Sequence, residues 1–195
     1  MAIGTKISYR EWAEQQYDKE HSIRPMRKED VPICIKMTME SFGDKYPSEQ
    51  FNTIEEEFLA AFVVGDDWWG KPKYFVCDYR GTIFGMAGYA LSWMDWDTFE
   101  VFWLCVRKGY EGYGIGKMLT KRLENEIFKE STFKKDITIT FSCEKSVINY
   151  HKRQGYKVLL KKAGDKEVIM GKSFLKQPSV SLLKRIKNKI KIWID

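Results

Sequence analysis

The sequence predicts a single α/β domain built on a mixed sheet, and three observations lead to this prediction. A length of 195 residues suits one domain rather than two. Apolar runs typical of strands alternate with apolar spacings of three and four that are typical of helices. The strongly apolar run Phe99–Val106 has the composition of a buried central strand, and it leads through a glycine-rich segment into an amphipathic helix.

The first half of the chain predicts four strands and two helices. Asp30 is the predicted N-cap of a helix that has Pro32 in its first turn and extends to about Phe42. Apolar residues at a spacing of three and four predict a second helix over 48–64. Strands are predicted over 22–25, 74–79, 83–92 and 99–106, with Arg80-Gly81 as the hairpin turn between the second and the third.

The second half predicts an amphipathic helix, a strand, a short helix and a closing hairpin. The amphipathic helix carries one apolar stripe, which consists of Ile115, Leu119, Leu123 and Ile127. A strand follows over 137–141, and the short helix over 147–153 is ended by Gly155. The hairpin is formed by strands over 156–162 and 167–174.

Charge and pattern divide the chain into an N-terminal helical extension over 1–21, an α/β domain over 22–175 and a basic amphipathic tail over 176–195. The tail contains six basic residues and one acid, and so holds +5 of the formal net charge of +6. Charge alone therefore gives no support to nucleic-acid binding by the domain. We favour a tail that packs on its own domain or on a second copy in a homodimer, over contact with a membrane or a nucleic acid.

Cysteine, histidine and leader patterns indicate a reduced, cytoplasmic protein without a metal site. Cys34, Cys77, Cys105 and Cys143 lie in apolar runs and form no C-x-x-C pair, which predicts buried thiols. With only two histidines, the chain offers no zinc pattern. No apolar run approaches the roughly 20 residues of a membrane span, and the N-terminus lacks the apolar core of a signal peptide.

The most informative segment is the glycine-rich run Gly112-Tyr113-Gly114-Ile115-Gly116. Glycines allow sharp turns and a close approach of a ligand to the backbone. A helix start offers free N–H groups and a partial positive charge, so the run predicts a phosphate or pyrophosphate site. The spacing differs from the patterns of dinucleotide folds and P-loops, and taken alone the run is explained equally well by a tight turn without a ligand.

The wider context resembles the GNAT superfamily of acyl-CoA-dependent N-acyltransferases. The pyrophosphate loop of that family reads R/Q-x-x-G-x-G/A, and residues 111–116 read E-G-Y-G-I-G. A second signature, an aromatic-rich short helix that ends in Gly-Phe/Tyr, matches Tyr150–Tyr156, while Ile23-Arg24-Pro25 before R-K-E-D resembles the first strand and helix. The resemblance covers residues 22–175. It implies a twisted, mostly antiparallel sheet with a V-shaped splay between strands 4 and 5 and about four flanking helices.

The resemblance implies acetyl-CoA as co-substrate, with no metal. Backbone groups of Leu104, Cys105 and Val106 would pair with the pantetheine arm. The residues implied at the pyrophosphate are Glu111, Gly112, Tyr113, Gly114, Ile115, Gly116 and Lys117, chiefly through backbone amides. Glu111 departs from the family pattern, because it places a carboxylate where Arg or Gln is usual.

The family reaction implies a general base and a general acid. An alkylammonium is neutral in about one molecule in 10³ at pH 7, so the acceptor amine needs a base. Glu100 is the candidate base and Asp97 the alternative. The position of the usual family tyrosine, four residues before Gly155, holds His151, so His151 and Tyr150 are joint candidates for the acid that protonates the thiolate. A surface carboxylate at a strand end and a surface histidine are the simpler explanations for Glu100 and His151.

Acids and tryptophans occur together in the segments that form the acceptor pocket in the family. The candidate acceptor-binding residues are Trp68, Trp93, Asp95, Trp96 and Asp97, and Glu55–Glu57 add negative charge. Carboxylates pair with ammonium groups and tryptophan faces attract cations. The predicted acceptor is therefore a cationic primary amine, such as a small amine, a polyamine, an aminoglycoside-like compound or a peptide amine. Surface acids and core tryptophans are the alternative explanation.

The sequence thus predicts an acetyl-CoA-dependent N-acetyltransferase that works by direct attack in a ternary complex. Two alternatives stay open. Glu111 and the missing tyrosine favour a CoA-binding regulator without catalysis. An acetyltransferase that acts on tRNA or protein would use the basic tail as its anchor.

Overall fold

The computed structural model describes residues 21–43, 51–63, 71–92, 98–130, 138–144, 147–161 and 167–174. The basic tail and all but the last residue of the N-terminal extension lie outside these ranges. The chain forms two compact units. The first unit consists of residues 1–64, 73–88 and 103–122, and the second of residues 65–72, 89–102 and 123–195.

Seven strands and four α-helices lie in the described residues. The strands are β1 His21–Pro25, β2 Lys73–Tyr79, β3 Thr82–Leu91, β4 Thr98–Val106, β5 Thr138–Glu144, β6 Lys157–Lys161 and β7 Glu167–Ser173. The helices are α1 Val31–Phe42, α2 Phe51–Ala60, α3 Ile115–Glu130 and α4 Ile148–Arg153. Each element predicted within the described ranges is present, with bounds that differ by a few residues.

In the first unit the hydrogen-bonded strand order is β1-β2-β3-β4. Strands β1 and β2 are antiparallel, with Ile23 opposite Cys77. Arg80 and Gly81 have φ values of 48° and 80°, the positive values that a two-residue hairpin turn between β2 and β3 requires. The Gly81 N–H also donates a hydrogen bond of 2.8 Å to Asp78 Oδ1. The predicted hairpin turn is therefore confirmed.

The core of the first unit is formed by apolar side chains of α1, α2, β2 and β3. Cys34, Met37, Phe58, Val76 and Met86 are each at most 2% exposed. The Met, Phe and Val side chains of this set each contribute roughly 1.5–3 kcal/mol of burial free energy. This packing fixes the two helices against the sheet of the unit.

Asp30 stands at the N-cap position of α1, as predicted, but its side chain makes no capping hydrogen bond to the helix. Its Oδ2 accepts hydrogen bonds from the backbone N–H of Arg27 at 2.7 Å and from the Arg24 guanidinium at 2.6 Å. Arg24 also donates to Asp78 at 2.8 Å. Burial alone would raise the pKa of Asp30, but the bonds from Arg24 and Arg27 outweigh burial and lower it. The charge-assisted hydrogen bonds from Arg24 therefore engage the carboxylate that would otherwise be available to cap the helix.

In the second unit the strand order is β3-β4-β5-β7-β6. Strands β4 and β5 are parallel and pair over Thr98–Thr138, Phe99–Ile139 and Glu100–Thr140. Strand β7 is antiparallel to both β5 and β6 and so lies between them. The sheet is therefore mixed and mostly antiparallel, as predicted. The β4–β5 pairs lie at the beginning of both strands, as a splay towards their ends requires.

Burial confirms the predicted stripe on α3, because Ile115, Leu119, Leu123 and Ile127 are each at most 2% exposed. Three of the four predicted thiols, at Cys34, Cys77 and Cys105, are free and buried. The side chain of Cys143 lies outside the described set. Among the described helices, none has both the length and the apolar composition that crossing a membrane would need.

Candidate active site

The loop between β4 and α3 makes its turns at glycines. Gly109, Gly112 and Gly114 have φ values of 87°, 84° and 83°. Side chains strain the backbone in this left-handed region, whereas glycine does not. A Cβ at position 112 would meet no atom within 4 Å, so the conformation rather than the available space requires glycine there. The loop surface at Gly112 is thus open to a ligand that approaches the backbone.

Helix α3 begins at Ile115, directly after this loop. The N–H of Met118 donates to the C=O of Gly114 at 3.0 Å, which is the first hydrogen bond of the helix. The N–H groups of Ile115, Gly116 and Lys117 precede that bond and have no acceptor within the helix. With the positive end of the helix dipole they form an anion-binding end on a helix of 16 residues.

Glu111, the departure from the family pattern, is exposed and binds within its own loop. Its Oε2 accepts a hydrogen bond of 2.7 Å from the backbone N–H of Gly109. A hydrogen bond to an ionised acceptor is stronger than a neutral one, so this contact stabilises the turn. The carboxylate therefore has a structural partner on the strand side of the loop.

Aromatic rings anchor the loop to β3. Tyr110 packs edge-on against Phe84 with ring centroids 4.7 Å apart, and Tyr113 lies 6.1 Å from Tyr110. The Arg107 N–H donates to the C=O of Phe84 at 2.8 Å. Edge-to-face contacts of this kind add to the free energy of burial, so they stabilise the packing of the loop on β3.

The three β4 residues expected to meet the pantetheine arm lie at the end of the strand. Cys105 is buried, and burial raises the pKa of its thiol to about 12, which makes the thiol unreactive. Leu104 and Val106 are half-buried. The expected role of these residues involves their backbone groups and stays a prediction.

Trp103, for which the sequence predicts no role in the site, has the most unusual backbone in the strand. Its φ is 52°, and the other positive φ at a described non-glycine residue belongs to Arg80 in a hairpin turn. A bulky residue in this region costs of order 1–3 kcal/mol and is typical of functional sites. The indole Nε1 donates to Glu57 Oε2 at 2.7 Å. An apolar strand sequence carries no signal for a left-handed residue, so only the structure reveals it.

Glu100, the candidate base, lies in β4 opposite Thr140 of β5. The side chain is half-buried, and burial raises the pKa of its carboxyl. The carboxyl is thus partly desolvated, unlike a fully exposed carboxylate at a strand end. A carboxyl with a raised pKa is a stronger base, and this suits the catalytic role that stays a prediction.

His151, one of the two candidate acids, is only 6% exposed. The simpler explanation, a surface histidine, is therefore wrong, because α4 packs this face inward. Burial lowers the pKa of His151 to about 4, so the ring is neutral at pH 7. Tyr150 is half-buried beside it, with ring centroids 4.8 Å apart at 80°.

A polar network fixes the end of α4, the helix that carries both candidate acids. Gly155 ends the helix with a φ of 90°, and the Tyr156 N–H donates to the His151 C=O at 3.1 Å. Glu124 Oε1 accepts from Tyr156 Oη at 3.1 Å and from Lys172 Nζ at 2.8 Å. The Gly-Tyr signature thus has a structural role, since it ties α4 to α3 and β7.

The predicted site residues are distributed over both units. Residues 104–117 belong to the first unit, while Glu100, Tyr150 and His151 belong to the second. The candidate acceptor residues Trp68, Trp93, Asp95, Trp96 and Asp97 lie outside the described residues, and Asp97 as the alternative base lies there too. The roles assigned to all these residues stay predictions.

Comparison with known proteins identifies the family. The Acetyltransferase (GNAT) family matches residues 35–156, which is more than half of the chain and includes the glycine loop and α4. The chain therefore belongs to the GNAT family of acetyltransferases. The family predicted from the loop and from the short aromatic helix is confirmed.

A curated relative supports the same assignment. An uncharacterized N-acetyltransferase of Methanocaldococcus jannaschii is 32% identical over a stretch that covers 43% of this chain and 57% of that protein. The chain thus matches little more than half the length of this relative.

Solved structures confirm the predicted fold. An aminoglycoside 6'-N-acetyltransferase in complex with coenzyme A is similar with a TM-score of 0.63, at 13% identity, over 81% of this chain and 99% of that chain. The PaiA N-acetyltransferase of Thermoplasma acidophilum, also in complex with coenzyme A, is similar with a TM-score of 0.61, at 17% identity, over 78% of this chain and 98% of that chain. At these identities the similarity concerns the fold alone.

Proposed function

We propose that the protein transfers the acetyl group of acetyl-CoA to a primary amine of a cationic acceptor, by direct attack in a ternary complex. The observation that carries this proposal is the glycine loop, with three left-handed glycines in front of the N-terminus of α3, in a chain of the GNAT family. Two proteins of similar fold are complexes with coenzyme A, which supports the choice of co-substrate.

The loop amides bind the pyrophosphate of acetyl-CoA in this proposal. The N–H groups over 112–116 supply hydrogen bonds, and the dipole of α3 supplies partial positive charge. The Lys117 side chain is exposed in the first turn of the helix and adds a full positive charge. The Glu111 charge opposes binding, although the hydrogen bond from the Gly109 N–H holds the carboxylate within its own loop. Backbone groups of Leu104–Val106 hold the pantetheine arm.

Glu100 acts as the general base. The acceptor arrives mainly as an ammonium ion, and producing the neutral amine at pH 7 costs roughly 4–5 kcal/mol. A positioned base recovers about 10²–10⁴ in rate. The half-buried carboxyl with its raised pKa accepts this proton, directly or through water, more readily than an exposed glutamate does.

Tyr150 is favoured over His151 as the proton donor to the leaving thiolate. With a pKa of about 4, His151 is an imidazolium in roughly one molecule in 10³ at pH 7. A neutral imidazole is a poor acid. The phenol of Tyr150 lies beside this ring on the same short helix, and the usual donor of the family is also a tyrosine.

The decisive experiment measures thiol release from acetyl-CoA with spermidine, 1,5-diaminopentane, kanamycin, a lysine peptide, serine and glutamate as acceptors. We expect turnover with cationic acceptors and none with serine or glutamate. E100Q should bind CoA normally but lose about 10²–10⁴ in kcat. G112V, in contrast, should lose both turnover and CoA binding, because valine strains the left-handed turn.

Each contrary outcome rejects a specific part of the proposal. CoA binding without turnover on any amine would support the CoA-binding regulator. Turnover only with neutral or acidic amines would reject a cationic acceptor. Salt-sensitive tRNA binding that disappears when residues 176–195 are deleted would support the nucleic-acid alternative.

We propose a reducing, cytoplasmic setting for this activity. The support is the burial of free thiols at Cys34, Cys77 and Cys105, since such thiols persist where disulfides are rare. Analytical ultracentrifugation with and without residues 176–195 tests whether the tail joins two copies into a homodimer.

A further inference from the structure

The strained residue Trp103 directs its side chain away from β4 towards α2. Within a strand, side chains alternate between the two faces, and a left-handed residue breaks that alternation. The indole Nε1 lies 2.7 Å from Glu57 Oε2. The strain is thus coupled to a specific polar contact between a strand and a helix.

Aromatic rings hold the Trp103 indole in place. Its ring centroid lies 5.7 Å from that of Phe42 at 66°, and 6.4 Å from that of Phe58 at 83°. Phe58 is fully buried and in turn packs against Tyr74, with centroids 5.0 Å apart. The indole therefore has a rigid apolar support, while the residue as a whole is only half-buried.

Glu57 is exposed, yet its charge also acts on the interior of the first unit. Tyr74 Oη donates to the backbone C=O of Glu57 at 3.5 Å. Burial, and after it the charge of Glu57, raises the pKa of Tyr74. An ionised carboxylate has about four acceptor positions, and the indole N–H uses one of them. The remaining positions can accept hydrogen bonds from a cation.

We propose that Glu57 and Trp103 form an ammonium-binding subsite that selects acceptors with a second positive charge. This inference rests on the proposed function. The attacking nitrogen must be neutral, so a monoamine loses its only charge before it reacts. A diamine keeps an ammonium group on its far nitrogen, which pairs with the Glu57 carboxylate and contacts the indole. The preferred substrate class is therefore a diamine or polyamine.

The position of Trp103 along the chain agrees with this role. Trp103 directly precedes Leu104–Val106, the residues proposed to hold the pantetheine arm, and all four belong to the first unit. A cation held at Trp103 would thus lie next to the strand segment along which the co-substrate binds.

The test compares 1,5-diaminopentane with pentylamine, two acceptors of equal chain length that differ in one ammonium group. In the wild-type protein we expect KM for the diamine to be at least about tenfold lower. E57Q keeps an oxygen for the indole N–H and removes the charge, so the two KM values should converge while KM for acetyl-CoA stays unchanged. The matched control is E56Q, an exposed neighbour on α2, which should keep the wild-type preference.

Equal KM values in the wild type, or an E57Q variant that keeps the preference, would overturn the inference. If no amine is acetylated at all, the proposed function fails separately. In that case calorimetry of 1,5-diaminopentane binding to the CoA-loaded protein tests the ammonium-binding subsite by itself. Binding that E57Q weakens about tenfold and E56Q does not supports the subsite. Binding that is absent, or that E57Q leaves unchanged, rejects it.

Discussion

The carboxylate of Glu111 accepts a hydrogen bond from the backbone N–H of Gly109, with 2.7 Å between Oε2 and the nitrogen. The two residues lie on either side of Tyr110, whose ring packs on Phe84. A glutamate is electrostatically unfavourable beside a pyrophosphate, but here it also stabilises a turn at a left-handed glycine. We therefore expect its charge and its hydrogen bond to affect CoA binding in opposite directions.

Two substitutions at Glu111 should separate these effects. E111Q keeps an acceptor for the Gly109 N–H and removes the negative charge, so Kd for CoA should fall by about three- to tenfold at low salt. E111A removes both the acceptor and the charge. Its Kd for CoA should fall by less than that of E111Q, because the turn loses a hydrogen bond of about 1 kcal/mol. Calorimetry with CoA at two salt concentrations measures both variants. If E111Q binds CoA more weakly than the wild type, the carboxylate contributes to binding and this interpretation is wrong.

The pH dependence of turnover should show Glu100 as a base. Burial raises its pKa, and a base must be deprotonated to act, so its contribution should decline as the pH falls through that raised pKa. The ratio of wild-type to E100Q kcat/KM should be about 10²–10⁴ at pH 8. As the pH falls, this ratio should begin to decrease at a pH above the pKa of an ordinary glutamate. A ratio that stays constant from pH 8 to pH 5 would exclude Glu100 as the base.

Protein stability should fall in mild acid because of His151. Its pKa is about 4 in the folded chain and near 6.5 when unfolded, so between these values only the unfolded chain binds the proton. The free energy of unfolding should therefore decrease as the pH falls from about 6.5 to 4, by roughly 1–2 kcal/mol after solvent screening. H151F lacks this group, and its stability relative to wild type should rise over that interval. Urea unfolding of both proteins at pH 7 and pH 4.5 measures the difference. If wild type and H151F lose the same unfolding free energy between these pH values, the burial of a neutral ring is contradicted.

The contact between β3 and α3 at Gly85 should tolerate no side chain. A Cβ there would lie 2.7 Å from Ile115 Cγ2, 3.0 Å from Leu119 Cδ1 and 3.2 Å from the Cys105 carbonyl oxygen. G85A should therefore destabilise the protein by about 1–3 kcal/mol through overpacking. It should also weaken CoA binding, because Ile115 is the first residue of α3. T82A, an exposed change on the same strand, should stay within about 0.5 kcal/mol. A stable G85A variant would show that α3 can shift without cost.

Local patterns predicted the elements well, and they predicted side-chain partners poorly. The apolar stripe from Ile115 to Ile127 follows from the helical periodicity of the sequence, and its side chains are buried as predicted. Asp30 matched the sequence pattern of an N-cap, but Arg24 and Arg27 compete for the same carboxylate. That competition depends on the position at which β1 places the Arg24 guanidinium, and no local sequence pattern predicts this position.

By itself the sequence determined the order of the elements, the glycine turns in front of α3 and the family. These depend on interactions between residues that are close in the chain, such as the left-handed φ of Gly112 and the helix start at Ile115. Only the tertiary structure decided that β7 lies between β5 and β6, that His151 is buried and that Trp103 reaches Glu57. Strand pairing, desolvation and backbone strain depend on residues that are distant in the chain, so they are fixed only when the whole domain packs.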